Sequence, residues 1–219
     1  MSVKIIGLGN KARNGKDTVA QFLKERLENC YIVHFADALK KEVSEQGDTP
    51  LIKRIEKNKF LIRDFDKEWY SEYLEEIFQE KNIEEYEYMR DKDPKILQFW
   101  GTQYRRFLNK NYWIDSVKKT IMEIQNLNSD KNLYFIIPDT RFINEKNFIA
   151  ECNGIFCKVK RINPDGTQYV DPYRNSNHPS EIELDNVDSD YLIEARNLEE
   201  LENKTLKFLD YLKIKFFPN

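Results

Sequence analysis

The sequence predicts an α/β domain with a mainly parallel central sheet, and three observations carry that expectation. Short apolar runs alternate with stretches of helical periodicity along most of the chain. The first run, Val3 to Leu8, leads through Gly7, Gly9 and Gly15 into a helical pattern, so a tight loop joins them. Leu133-Tyr134-Phe135-Ile136-Ile137 is apolar at every position, the clearest buried strand in the chain.

The elements follow in order. From Thr18 to Asn29, Val19, Phe22, Leu23 and Leu27 share one side at helical spacing. Tyr31 to Phe35 reads as a second strand ending at Ala36-Asp37, and a helix follows through Leu39, Lys40 and Val43. Residues from about 48 to 95 are densely charged and show no strand-like run. There Trp69, Tyr73 and Ile77 recur at i, i+4 and i+8, which predicts a helical insertion with an acidic outer face. That face is either solvated or a subunit contact. Ile96, Leu97, Trp100, Tyr104 and Leu108 form another helical stripe. Pro138-Asp139 closes the central strand, and Ile155 to Lys160 is a fourth. Residues 161–180 are polar and punctuated by Pro164, Gly166, Pro172 and Pro179, a loop long enough to suggest function. Tyr191 to Ile193 is the last strand, and Leu198 to Ile214 a closing helix. The reading is one domain over 1–219, with an insertion at about 48–95 and a loop at about 161–180.

Composition limits the classes. Forty per cent hydrophobic and 33% charged residues describe an ordinary globular surface and core. No stretch approaches the roughly 18–20 apolar residues that span a bilayer, and the N-terminus turns polar too early for a secretory signal. Cys30, Cys152 and Cys157 are odd in number and lack histidine pairs, which argues against a disulfide framework or zinc site and for a reducing cytoplasm. Residues 64–93 hold twelve acids and four bases, so they carry −8 and leave +5 elsewhere in a chain of net charge −3. A mildly basic remainder suits small anionic ligands; it is not the strongly basic surface of a stable nucleic-acid binder.

The chemistry concentrates in Gly9-Asn10-Lys11-Ala12-Arg13-Asn14-Gly15-Lys16-Asp17-Thr18, between the first strand and first helix. In that context backbone N–H groups converge on phosphate oxygens and the helix N-terminus adds positive potential. Gly15 permits close approach, and Lys16 reaches terminal phosphates. The pattern departs from G-x-x-x-x-G-K-[ST] twice: Asn10 stands at the first glycine, and Asp17 at the hydroxyl position with Thr18 after it. Asp17 serves either magnesium or the helix N-terminus, and Thr18 is a weaker metal candidate.

Several ordered pieces then carry a resemblance. They are Ala12-Arg13-Asn14-Gly15-Lys16-Asp17-Thr18, Phe35-Ala36-Asp37-Ala38-Leu39-Lys40, Leu97-Gln98-Phe99-Trp100-Gly101-Thr102 with Arg105-Arg106, and Tyr112-Trp113. Pro138-Asp139-Thr140-Arg141, His178-Pro179-Ser180-Glu181 and Leu198-Glu199-Glu200-Leu201 complete the series. The chain resembles the deoxynucleoside monophosphate kinases of tailed bacteriophages. The resemblance implies a three-layer P-loop kinase fold with a short lid, ATP as co-substrate, Mg²⁺, a deoxynucleoside 5′-monophosphate acceptor, and a homodimer in the cytoplasm, that of the host for a phage protein.

Within that expectation Lys11 to Thr18 bind ATP. Asp139 follows the central strand and holds the hydration shell of Mg²⁺, or else caps a turn. Arg141 contacts the acceptor or the transferring phosphoryl group, or forms a surface ion pair. Arg105, with Gln98 and Gly101 on one helix, lines the acceptor site, as do Asp37 and Lys40. Trp100 and Tyr104 stack on a base or pack in the core. Arg161 assists transfer and Arg174 closes over the triphosphate. His34 reads as a strand histidine, and His178, Ser180 and Glu181 receive no role. A phosphate acceptor, largely ionised near neutral pH, needs no general base, which suits a chain without a convincing histidine base. Phosphomevalonate or a nucleoside is an alternative acceptor, and an ATP-binding regulatory or nucleic-acid-linked ATPase module an alternative class.

Overall fold

The computed structural model describes residues 2–44, 97–172 and 174–217. The insertion expected at 48–95 lies outside them. The chain forms two compact units: Met1–Phe35 with Trp113–Asn219, and Ala36–Tyr112.

The first unit holds a five-stranded sheet, all parallel, in the order β2-β3-β1-β4-β5. Its strands are β1 (Val3–Gly9), β2 (Cys30–Ile32), β3 (Leu133–Thr140), β4 (Ile155–Arg161) and β5 (Tyr191–Ala195). The helices of the chain are α1 (Lys16–Lys24), α2 (Phe35–Ser44), α3 (Tyr112–Leu127), α4 (Ile143–Glu151), α5 (Pro179–Ile182) and α6 (Leu198–Phe216), with a π-helix over Phe99–Arg106.

Alternation along the strands sorts the layers. Ile6, Leu8, Ile136, Val159 and Ile193 point to one face, where Val19, Ala20 and Leu23 of α1 meet Phe208, Leu209, Leu212 and Phe216 of α6. Gly7 points to the other, where α4 approaches so closely that a Cβ would lie 2.1 Å from Ile149 Cδ1. Lys118 of α3 lies over the Phe148 ring of α4, 5.4 Å from its centroid, so α3 joins that layer. Two helical layers thus sandwich the sheet, as the α/β reading expects.

Four boundaries differ from the sequence reading. First, α1 starts at Lys16 and ends at Lys24, so its first turn carries the loop lysine and Asp17. Second, β2 stops at Ile32, and Phe35 already opens α2. Third, β3 continues through Pro138-Asp139 to Thr140; the β1–β3 register shifts between Gly7 and Gly9, and that irregularity accommodates a residue with no N–H to donate. Fourth, the stripe expected at 96–108 winds in part as a π-helix. Helices α3 and α4 cover segments to which the sequence reading gives no element.

Topology places the site. From β1 the chain crosses to β2 on one side of the sheet, and from β3 to β4 on the other. The adjacent carboxyl ends of β1 and β3 are therefore the switch point, where open α/β sheets receive ligands.

Candidate phosphate-binding site

The loop leaving β1 is a left-handed turn sequence. Asn10, Arg13 and Gly15 have φ of 123°, 54° and 92°. Glycine accepts that conformation freely, and asparagine better than most residues. A Cβ on Gly15 would also stand 3.0 Å from Leu201 Cδ2 of α6.

Two side-chain amides hold this shape. Asn10 Nδ2 donates to the Val159 carbonyl of β4 (3.1 Å), while its Oδ1 accepts from the Lys11 N–H (2.8 Å) and Gln168 Nε2 (3.2 Å). Asn14 is 1% exposed. Its Nδ2 donates to the Ala12 and Tyr169 carbonyls, and its Oδ1 accepts from the Arg161 N–H and Gln168 Nε2. Both amides fasten the loop to residues 161–169, which form a hairpin rather than an irregular strap. Ile162 bridges Gln168, Gly166 turns the chain at φ 87°, and Asp165 Oδ1 accepts from Thr167.

Lys16 is the first residue of α1 and is 4% exposed. Its Nζ donates to the Lys11 carbonyl, and it has no ion pair among the described residues. Burial, then the Arg141 guanidinium, push its pKa well down, against the opposing pull of Asp17, Glu181 and Asp139. A buried ammonium bound, among the described residues, to a carbonyl alone is electrostatically incomplete, and an anion would complete it.

The end of β3 supplies the opposite wall. Glu145 of α4 is buried and accepts from the N–H groups of Arg141 (2.7 Å) and Phe142 (3.1 Å), fixing the main chain beneath Arg141. The Arg141 guanidinium donates through Nη1 to Glu181 Oε1 (3.1 Å) and reaches the Ser180 carbonyl. Arg174 Nη1 lies 3.5 Å from the same Glu181 oxygen, and its Nε 3.8 Å from Asp171. Arg13 Nε is 3.2 Å from that Asp171. Lys11 Nζ donates to the Glu181 carbonyl and to Asp185 Oδ2, both at 2.8 Å.

Asp17 and Asp139 flank Lys16. The Asp17 side chain is 85% exposed, and His34 Nε2 lies 3.6 Å from it. His34, then Lys16, hold the Asp17 carboxyl below its usual range, against a partial opposing effect of burial. Asp139 Oδ1 accepts the Phe35 N–H at 3.0 Å. Thr18 is half-buried on α1. Among the described residues no three His, Cys, Asp or Glu cluster as a self-sufficient metal site. Mg²⁺ brought in on phosphates needs only one or two carboxylates, and this pair fits that requirement.

The structure thus brings Lys11 to Thr18, Asp139, Arg141 and Arg174 together in the first unit. Arg161 is there too, but its side chain is exposed and stacks on Tyr169, 4.6 Å from the ring centroid. His34, read from sequence as a strand histidine, instead lies between β2 and α2 beside Asp17. Asp171 and Glu145 were given no role by the sequence. The signal for Glu145 is its place three residues after Phe142, the N3 position where acidic side chains serve helix starts.

Asp37, Lys40, Gln98, Gly101 and Arg105 belong to the second unit. Asp37 and Lys40 are exposed on α2, three residues apart and so on neighbouring positions of one face. Gly101 lets the π-helix meet α2, since a Cβ would fall 2.9 Å from Leu39 Cδ2. Arg105 Nε and Trp100 Nε1 each donate to Glu42 Oε2 at 2.9 Å, and the Tyr112 hydroxyl donates to Glu42 Oε1. The Arg105 guanidinium also lies over the Trp100 and Tyr112 rings. Gln98 Nε2 is a buried donor with no partner among the described residues, suited to an acceptor on a ligand. The Tyr104 side chain lies outside the described residues.

No family model matches the chain. A protein of Acanthamoeba polyphaga mimivirus, named "Putative deoxynucleotide monophosphate kinase", is 27% identical over 218 residues, covering 94% of this chain and 96% of its own. The solved structure of TT1252 from Thermus thermophilus covers 96% of this chain and 98% of its own at 16% identity and TM-score 0.44, a likeness too low to carry an argument. Among the described residues no helix is long and apolar enough to cross a membrane.

Proposed function

We propose that this protein is a nucleotide kinase that transfers the γ-phosphoryl group of ATP to the 5′-phosphate of a deoxynucleoside monophosphate. The observation that carries the reading is Lys16: a buried cation at the head of α1, on the β1/β3 switch point, whose ammonium donates to the Lys11 carbonyl and has no ion pair among the described residues. The full-length similarity to a protein named as a deoxynucleotide monophosphate kinase supports the nucleotide-kinase class. It does not single out the tailed-phage type.

In this reading the loop from Lys11 to Thr18 receives the ATP phosphates. An acceptor phosphate oxygen attacks the γ-phosphorus, the bond to the β–γ bridging oxygen breaks, and ADP departs with the electron pair. Such transfer depends on positioning and charge neutralisation. Lys16 follows the terminal phosphates. Arg141 and Arg174 face the charge that develops on the moving group, with Arg161 at the rim. Asp139 and Asp17, with Thr18 beside them, would hold Mg²⁺, which would offset phosphate charge. Asp37, Lys40, Gln98, Gly101 and Arg105 are the acceptor-side residues of the proposal, Gln98 through its buried amide Nε2, which has no partner among the described residues.

The test incubates the protein with ATP, Mg²⁺ and each nucleoside monophosphate, with nucleosides and phosphomevalonate as competing acceptors, and resolves the products. Diphosphates from deoxynucleoside monophosphates are expected. Lys16→Ala should lower turnover by roughly two to three powers of ten, as lost electrostatic contacts in other enzymes do. Folded Lys16→Ala protein with normal turnover would remove the assigned role.

A further inference from the structure

Glu181 belongs to no step of the proposed transfer, yet its carboxylate is among the most heavily engaged in the first unit. Its side chain is 5% exposed. Oε2 accepts the Ala12 N–H of the phosphate loop at 2.9 Å. Oε1 accepts Arg141 Nη1 at 3.1 Å and faces Arg174 Nη1 at 3.5 Å. One carboxylate therefore takes a loop amide and two guanidiniums, the same kinds of donor a phosphoryl group would take. It sits on α5, whose start is capped by His178 Nδ1 accepting the Ser180 N–H, and whose carbonyl at Glu181 is held by Lys11. The carboxylate is thus fixed from several sides.

That arrangement has two physical consequences. A guanidinium carries five N–H donors in a rigid plane. Fixing Nη1 of each arginine on Glu181 sets the plane, and with it the direction of the donors that remain. The carboxylate also offsets part of the positive charge of Lys16, Arg141 and Arg174, which lowers the grip of the empty cluster on any polyphosphate. Glu181 and Arg141 are both among the charges felt by the Lys16 ammonium, so the effect reaches the loop.

We propose that Glu181 is a positioning residue: an internal carboxylate that aims Arg141 and Arg174 at the phosphate loop and restrains their hold on bound polyphosphate. The proposal rests on the phosphate-binding reading of that loop. It gives a role to the one acidic residue of the His178-Pro179-Ser180-Glu181 segment.

The test separates aim from charge with two variants. Glu181→Gln keeps the shape and an acceptor for the Ala12 N–H but removes the charge. Glu181→Asp keeps the charge but withdraws it by one methylene. Binding of inorganic tripolyphosphate is measured by calorimetry, and transfer from ATP to monophosphates by product formation. For Glu181→Gln, tripolyphosphate should bind about 3–10-fold more tightly while kcat falls about 10–100-fold, less than the loss of a whole transition-state donor. For Glu181→Asp, affinity should stay within about 2-fold while kcat falls similarly. In an Arg141→Ala background the kcat effect of Glu181→Gln should shrink, because the part that acts through Arg141 is already lost and only the part through Arg174 remains. Weaker tripolyphosphate binding together with slower turnover and a lower Tm would mean a merely structural residue and overturn the proposal. Unchanged kcat in folded Glu181→Asp would overturn it too. If Glu181→Gln does not fold, Glu181→Asp decides alone. Wild-type protein that binds tripolyphosphate but phosphorylates no acceptor refutes the kinase reading, and the affinity comparison then decides Glu181 by itself.

Discussion

Asn14 is the position at which the shape of the loop can be tested through stability alone, with no phosphate ligand in the assay. Asn14→Asp is nearly isosteric. The oxygen that accepts from the Arg161 N–H at 2.8 Å and Gln168 Nε2 at 3.3 Å is kept. The group that donates to the Ala12 carbonyl at 2.8 Å and the Tyr169 carbonyl at 3.3 Å becomes a second oxygen with no proton. Two hydrogen bonds at about 1 kcal/mol each are lost, and carbonyls left facing an oxygen in a buried site add about 1–3 kcal/mol. The expected loss is about 3–5 kcal/mol, or roughly 6–20 °C in Tm for a protein of this size. Urea unfolding at pH 7.5, followed by two probes to check for a single transition, measures it. Lowering the pH should narrow the deficit, because protonating the new carboxyl restores one donor. Asn14→Leu, which also strands the Arg161 N–H, should cost at least as much. An Asn14→Asp protein within about 1 kcal/mol of wild type would refute the claim that this amide holds the loop to the hairpin.

Three further predictions concern other parts of the first unit. Burial, partly opposed by Glu181 and reinforced by Arg174 and Arg141, lowers the His178 pKa below its ordinary value. Above about pH 6.5 the unfolded imidazole is neutral as well, so nothing is lost there. As pH falls below that value the unfolded chain takes up a proton that the folded chain resists, and stability declines until the folded pKa is passed. His178→Asn keeps a helix-capping acceptor and should flatten the stability–pH curve of urea unfolding between about pH 6.5 and 5; an unchanged slope would contradict the assignment. Gly9→Ala should lower stability by about 1–3 kcal/mol, because its Cβ would lie 2.5 Å from Phe156 Cε2, on a ring that is 1% exposed and cannot yield. Gly166→Ala meets nothing within 4 Å, so only its φ of +87° opposes the change, and thermal melting should rank it clearly milder.

The parts of this fold legible in the sequence are those set by local pattern. Val3 to Leu8 and Leu133 to Ile137 are apolar because both faces of the sheet are covered, and both are strands. The Gly-Lys pair between β1 and α1 marks the loop because few other contexts need that spacing. The sequence hides what depends on partners far along the chain. Pro138 reads as a strand terminator, yet β3 passes through it because β1 shifts register opposite. Asn14 reads as one residue of an ATP-binding loop, and nothing local shows that its amide is engaged by Ala12, Arg161, Gln168 and Tyr169. His34 reads as part of a strand because Tyr31 to Phe35 is mostly apolar, but the strand ends two residues earlier and the ring falls beside Asp17. In α4 the apolar residues Phe142, Ile143, Phe148 and Ile149 are bunched rather than spaced, so no clean stripe announces a helix.

The two departures from the usual loop pattern then acquire different physical meanings. At Asn10 a side chain replaces hydrogen at φ 123°, a conformation most residues resist. The same side chain supplies three hydrogen bonds that a glycine could not make, joining the loop to β4 and Gln168. A loop of glycines would be free to adopt this shape; a loop with Asn10 and Asn14 is held in it. Preorganised donors act without reorganising when charge arrives, so local strain here is consistent with the proposed chemistry. Asp17 works the other way. Its side chain stays 85% exposed and lies beside His34, so its carboxylate remains turned to solvent at the mouth of the loop. The first substitution stiffens the cradle, and the second adds negative charge at its edge. A hydroxyl at position 17 could bind a cation but could not contribute that charge, which Lys16 feels from Asp17 and Asp139 alike.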